Sequence, residues 1–143
     1  LSPEAAARAE GVTIDPALLA LPMEAPQQPL VVEGAGGLMV PVTDEIMMVD
    51  LAQRWGLPVV LVARSGLGTL NHTLLSLEAL RARGIAVAGV VLNGPPNPEN
   101  SRTIADKGKV RILAEIPHEA ELDAPTVERL AALLPPWSEI AGA

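Results

Sequence analysis

The residues with the clearest chemical potential lie in the stretch Val31-Val32-Glu33-Gly34-Ala35-Gly36-Gly37-Leu38-Met39-Val40-Pro41. A carboxylate follows an apolar run, and three glycines fall within the next four residues. At the C-terminal end of a buried strand, such a group sits where α/β sheets bind ligands. Small residues let backbone N–H groups approach a phosphate or carboxylate closely, and an acid there can hold Mg²⁺ between nucleotide phosphates. The same residues also suit a plainer role, a tight strand-to-loop turn with Glu33 solvated at its rim. Spacing alone leaves both readings open.

A second glycine-rich turn, Ser65-Gly66-Leu67-Gly68-Thr69-Leu70-Asn71-His72, runs straight into a helical pattern. The N–H groups at that helix start favour an anion; capping by Ser65 or Thr69 is the alternative. Asn93-Gly94-Pro95-Pro96 follows a third apolar run. Its amide offers a donor and an acceptor to a purine edge, yet Asn-Gly is also a common turn pair. Ile116-Pro117-His118-Glu119 closes a fourth run. Neither glycine turn completes a dinucleotide fingerprint: Met39 and Asn71 stand where a third small residue belongs, and no acid ends a strand some twenty residues on. His72 and His118 have no companions at metal-ligand spacing. His72 is expected to be a cap or interface residue, and Met39, Met47 and Met48 to fill core. No Gly-x-Ser-x-Gly elbow is present.

These loops need a scaffold. Leu30–Glu33, Pro58–Ala63, Val87–Asn93 and Val110–Ile116 are near-continuous apolar runs, as in a parallel sheet covered on both faces. Helices are expected between them: one from the Thr43-Asp44-Glu45 cap to about Gly56, one over Thr69–Arg83 ended by Gly84, one over Pro98–Lys107 and one over Pro125–Leu134. Ser2-Pro3-Glu4 opens a short helix to Glu10. Pro16–Pro29, with four prolines, reads as a connector. Alternation of strand and helix predicts an α/β, doubly wound, mainly parallel sheet with right-handed crossovers. Residues 1–28 form a helix and Pro-rich connector, and 29–143 form the C-terminal part of one α/β domain. All four strand ends should meet at one rim.

Composition narrows the partners. The chain has 143 residues, a net charge of −7 and 49% hydrophobic residues. No basic run offsets the acidity, so a nucleic-acid or anionic-membrane binder is disfavoured. Aromatics are limited to Trp55 and Trp137, which leaves few rings for stacking bases. Absence of cysteine excludes disulfides, thiolate metal sites and a cysteine nucleophile. No signal peptide and no bilayer-length apolar run is visible, so a cytoplasmic location is expected. A first residue Leu1 instead of Met is read as the mark of a larger parent.

Together the stretches resemble dethiobiotin synthetase. VVEGAGGLMVPVTDEIMMVDLA, LPVVLVARSGLGTLNHTLLSLEALRARGI, VAGVVLNG and ILAEIP occur in that family's order and approximate spacing. The early SPEAAARAEGVTID is similar to the family's segment before its central strand. Related P-loop proteins share the fold but not SGLGTLNHTLL after VEGAGG. The resemblance covers nearly the whole chain and implies a P-loop NTPase type of sheet. It implies that Glu33 binds Mg²⁺ and the nucleotide phosphates, with Gly34, Ala35 and Gly36 against ATP and Gly36 and Gly37 against a diamino acid substrate. Gly68, Leu70 and Asn71 would come from the neighbouring subunit of a homodimer to bind the substrate carboxylate. Asn93, Gly94, Pro117, His118 and Glu119 match the adenine-binding positions. The reaction implied is ATP-dependent ring closure of 7,8-diaminononanoate with CO₂.

The family's Gly-x-x-x-x-Gly-Lys-Thr loop, its catalytic lysine and a second Mg²⁺-binding aspartate precede the matching segment, and none occurs in these 143 residues. The resemblance therefore places no catalytic residue here and implies that this portion is inactive by itself. An acidic adenine or ribose contact past Ile116-Pro117 falls in register near Ala124, with Glu121 and Asp123 as neighbouring acids. Two other classes stay open: a P-loop ATPase relative of the partitioning or cobyrinate-amidating type, and a non-catalytic α/β interaction domain.

Overall fold

Local capping sets the first elements. Ser2 Oγ accepts from the Ala5 N–H at 3.2 Å and starts α1 (Pro3–Glu10), where Pro3 gives up an N–H that would have had no partner. Asp15 likewise accepts from the Ala17 N–H at 2.9 Å and opens a 3₁₀ turn, Pro16–Leu19. A computed structural model describes residues 1–22 and 29–142. They form two compact units, Leu1–Leu57 and Pro58–Ala143. The centre of the expected connector, 23–28, lies outside the described residues.

In the first unit, Val42, Ile46, Met48 and Leu51 are buried together, with Ile14, Leu19 and Trp55 packed against them. Trp55 Nε1 donates to the Leu19 carbonyl at 2.8 Å, so the indole is both packed and satisfied. Two expectations are corrected here. Leu30–Glu33 forms no strand: these residues are exposed and have no ladder partner among the described residues. An apolar run becomes a strand only where a neighbour takes its backbone N–H and C=O groups, and none does. The second correction concerns Thr43, which starts a turn and not a helix. Its Oγ1 accepts from the Ile46 N–H at 3.1 Å, while Val42 N–H donates to the Ile46 carbonyl at 2.8 Å, burying both side chains. Helix α2 (Met48–Trp55) begins later, where the Asp50 carboxylate accepts from the Met47 N–H at 2.8 Å. Met48 is core as expected; Met39 is exposed.

The second unit holds β1 (Val59–Arg64), α3 (Thr69–Ala82), β2 (Val87–Asn93), α4 (Pro98–Gly108), β3 (Ile112–Ile116), α5 (Ala124–Ala131) and α6 (Trp137–Ala141). The sheet is parallel throughout, in the order β1-β2-β3. Leu77 of α3 and Ile104 of α4 are buried in one cluster with Ala63, Val90 and Leu92. Both crossover helices therefore cover the same face of the sheet, as right-handed connections between adjacent strands require. By strand alternation Val62 points to the other face, where it is 62% exposed.

Close strand packing depends on Gly89, which pairs with Val60 beside a register shift. A Cβ there would lie 2.5 Å from Leu113 Cγ and 2.8 Å from the Arg111 carbonyl oxygen. Gly89→Ala must push β3 away from β2, and is expected to cost about 1–3 kcal/mol. Urea unfolding checks this; an unshifted midpoint would mean the strands separate without loss.

Candidate nucleotide and substrate site

In a parallel sheet all strand ends of one polarity lie together. Arg64-Ser65, Asn93-Gly94 and Ile116-Pro117 follow β1, β2 and β3, and the three loops share one rim. Direct bonds stitch that rim: Ser65 N–H donates to the Asn93 carbonyl at 3.1 Å, and Gly94 N–H to the Ile116 carbonyl at 2.9 Å. Of the four expected strand ends, three meet. Glu33 does not end a strand and belongs to the first unit.

The turn between β1 and α3 is built for exposure. Gly68, at φ 89°, is the N-cap of α3 in a conformation costly for residues with a Cβ. No side chain caps the helix. Neither Ser65 nor Thr69, the capping alternative, provides the cap. Thr69 and Thr73 are fully buried, with their Oγ1 atoms 3.2 Å apart. Ser65 is buried, and its Oγ has no partner among the described residues. His72 N–H takes the Gly68 carbonyl at 3.2 Å and Thr69 N–H takes that of Gly66, also at 3.2 Å. The N–H groups of Leu70 and Asn71 lie between them with no backbone partner among the described residues, at the positive end of a 14-residue helix. Asn71 is exposed and Leu67 is 99% exposed. This turn can receive a carboxylate. His72 does not cap; its Nε2 is buried with no partner among the described residues.

The loop after β2 leaves Asn93 exposed, with Asn97 Oδ1 accepting from the Asn100 N–H at 3.1 Å to start α4. After β3, His118 is exposed, while half-buried Glu119 pairs with Arg129 of α5 at 3.1 Å. Of the two acids near Ala124, Asp123 caps α5, accepting from the Thr126 N–H at 2.9 Å. Hydrogen bonds from the Thr126 side chain and then its backbone hold the Asp123 carboxyl below its usual range. Its folded value is below its unfolded one, so its support of α5 is fully present above about pH 4 and is lost as pH falls through the lower folded value. Asp123→Asn keeps a capping oxygen and should remove this pH dependence from α5 amide protection. A carboxyl titration of Asp123 at the ordinary aspartate value would contradict the assignment.

In the first unit, the Glu33–Gly37 segment precedes a loop whose carbonyls already occupy the start of α2. Val40 and Leu38 carbonyls each accept, at 2.9 Å, from Met48 and Val49 N–H. The α2 N-terminus is thus filled by protein and is not an anion site. Gly34 lies against Met48, where a Cβ would come within 3.2 Å of Cγ and Sδ. The Glu33 carboxylate is exposed and has no partner among the described residues. No group of three or more His, Cys, Asp or Glu side chains able to hold a metal occurs among those residues. Mg²⁺ commonly takes one or two carboxylates and fills its remaining positions with phosphate oxygens and water. One free, exposed carboxylate fits that donor set as a single ligand.

Sequence reasoning missed Asn100 and the burial of Ser65. The signal available was Asn97-Pro98-Glu99-Asn100, a cap followed three residues on by a second amide. Among the described residues no helix is long and apolar enough to cross a membrane.

Parallel strands, loops gathered at their C-terminal ends and crossover helices on the sheet are the plan of an α/β nucleotide-binding domain. The chain belongs to the AAA domain family, whose model matches residues 1–126. More particularly, it is similar to dethiobiotin synthetases. It is 52% identical over 126 residues to the ATP-dependent dethiobiotin synthetase BioD of Nitrobacter hamburgensis, covering 88% of this chain and 58% of that protein. It is 52% identical over 136 residues to BioD of Paramagnetospirillum magneticum, covering 95% of this chain and 64% of that one. The biotin biosynthesis bifunctional protein BioCD of Bordetella avium is 53% identical over 135 residues, 94% of this chain and 29% of its own length. The chain thus spans less than two thirds of these relatives.

Proposed function

We propose that this chain is the substrate- and adenine-recognising portion of a dethiobiotin synthase. The intact enzyme would use ATP and Mg²⁺ to close the ureido ring of 7,8-diaminononanoate with CO₂. The observation that carries the proposal is the shared rim of Ser65–Asn71, Asn93-Gly94 and Pro117–Glu119, in a chain about half identical to proteins named for that activity. One amine takes up CO₂ as a carbamate, a carbamate oxygen takes the γ-phosphoryl group, and the second amine displaces phosphate. Positioning and neutralisation of phosphate charge supply the acceleration, with little covalent work for the protein. Mg²⁺, when bound, neutralises phosphate charge. Glu33 would hold it, with Gly34, Ala35 and Gly36 along the nucleotide and Gly36 and Gly37 along the diamino acid.

The free N–H groups of Leu70 and Asn71 suit the substrate carboxylate, presented with Gly68 to the partner subunit of a homodimer. Asn93, Gly94, Pro117, His118 and Glu119 line the adenine side. A cytoplasmic enzyme without nucleic-acid or membrane partners accords with the acidic composition. Release of phosphate from ATP by the full-length protein, with and without 7,8-diaminononanoate, is the deciding assay. Turnover indifferent to the diamino acid would instead favour an ATPase of another branch.

Asn71→Ala separates the two ligands. It keeps the backbone N–H but removes the exposed side-chain amide as a further donor to the carboxylate, and should weaken 7,8-diaminononanoate binding by roughly tenfold, the scale of a hydrogen bond to a charged group, while leaving ATP binding nearly unchanged. Titrating each ligand separately tests this. Equal loss of both, or of neither, would remove Asn71 from the substrate site.

A further inference from the structure

The peptide of Ser65 is held from both sides by the segment that follows β2. Its N–H donates to the Asn93 carbonyl at 3.1 Å, and its carbonyl accepts from Asn100 Nδ2 at 2.9 Å. Asn93 opens the loop and Asn100 lies in the first turn of α4, so both loop ends are tied to one residue of the adjacent strand end. Gly94 lies so close that a Cβ on it would be 2.7 Å from Ser65 Oγ. Between the ties, Pro95, Pro96 and Pro98 have fixed φ angles and few alternatives. Such a loop holds one shape while its ends are fixed.

We propose that Asn100 is a positioning residue for nucleotide recognition, which by gripping the Ser65 carbonyl sets the direction in which Asn93 offers its side-chain amide to the purine. The proposal rests on the reading of Asn93 as the purine contact. An amide has a donor end and an acceptor end, and at the six position adenine presents an N–H donor where guanine presents a carbonyl acceptor. Discrimination therefore needs an amide of fixed orientation. Freeing one end of the loop adds an ordering cost to nucleotide binding, and leaves phosphoryl transfer untouched once ATP is bound. The grip requires a donor: Asn100→Ala removes it, and Asn100→Asp sets an oxygen against the Ser65 carbonyl.

The test uses full-length enzyme and compares Asn100→Ala, Asn100→Asp and Asn93→Ala. The measurements are KM for ATP, KM for 7,8-diaminononanoate, kcat, and the ratio of kcat/KM for ATP to that for GTP. Both Asn100 variants should raise KM for ATP roughly 3- to 10-fold, the scale of one lost hydrogen bond, and narrow the ATP preference. The KM for the diamino acid and kcat at saturating ATP should hold, and Asn93→Ala should raise KM for ATP at least as far. If only Asn93→Ala changes KM for ATP and the purine ratio, the positioning role is overturned and the Asn93 reading survives. If Asn93→Ala changes neither, the reading beneath the proposal is overturned. A fall in kcat and melting temperature with an unmoved purine ratio would overturn the proposal by giving Asn100 a structural role alone.

Discussion

Glu33→Ala in the full-length protein is expected to lower turnover by on the order of 10²–10³, as loss of one contact that stabilises transition-state charge does elsewhere. The carboxylate is exposed and has no protein partner among the described residues, so its removal should leave the fold nearly unchanged. In the proposed role it faces outward, toward Mg²⁺. The loss should be deepest at low Mg²⁺ and recover partly as Mg²⁺ rises. Measuring turnover across a Mg²⁺ series, with a thermal melt beside it, decides the matter. A variant with near-normal turnover at low Mg²⁺ would make Glu33 a solvated rim residue.

The 143 residues assayed by themselves are expected to make no dethiobiotin. Phosphoryl transfer needs a backbone cradle and a lysine on the β- and γ-phosphates, and the sequence contains no Gly-Lys-Ser or Gly-Lys-Thr. Its two lysines cannot substitute. Lys107 and Lys109 sit at the end of α4 that feeds the start of β3, the opposite end of the sheet from the site loops. Among the described residues β1 is an edge of the sheet and Val62 on it is 62% exposed; an edge strand without a neighbour invites pairing with another chain. Poor solubility is expected with the inactivity. Mixing with a separately made piece that contains the phosphate-binding loop should restore product formation. Product from the 143 residues alone would overturn this account of where the chemistry lies.

Sequence by itself determined the elements whose signals are local. Ser2-Pro3 opens α1 because a short polar side chain reaches its own backbone a few residues on. The run Val87–Asn93 forms a strand with the expected bounds, and α3 runs from Thr69 to the turn at Gly84. Apolar period and terminal glycine carry that information within one window. The rim formed by Ser65, Asn93 and Pro117 was legible too, because parallel strands joined by right-handed crossovers leave their C-terminal ends at one side. What lay beyond reach depended on neighbours. Leu30–Glu33 has a strand's composition, but a ladder needs a second chain segment that composition cannot supply. Thr43 has a helix cap's chemistry, yet burial of Val42 and Ile46 selected a turn and moved the helix start to Met48. Asn100 gained its partner, the Ser65 carbonyl, from 35 residues away. Only the tertiary structure could decide these, because each depends on which backbone group lies opposite, and sequence distance does not encode that.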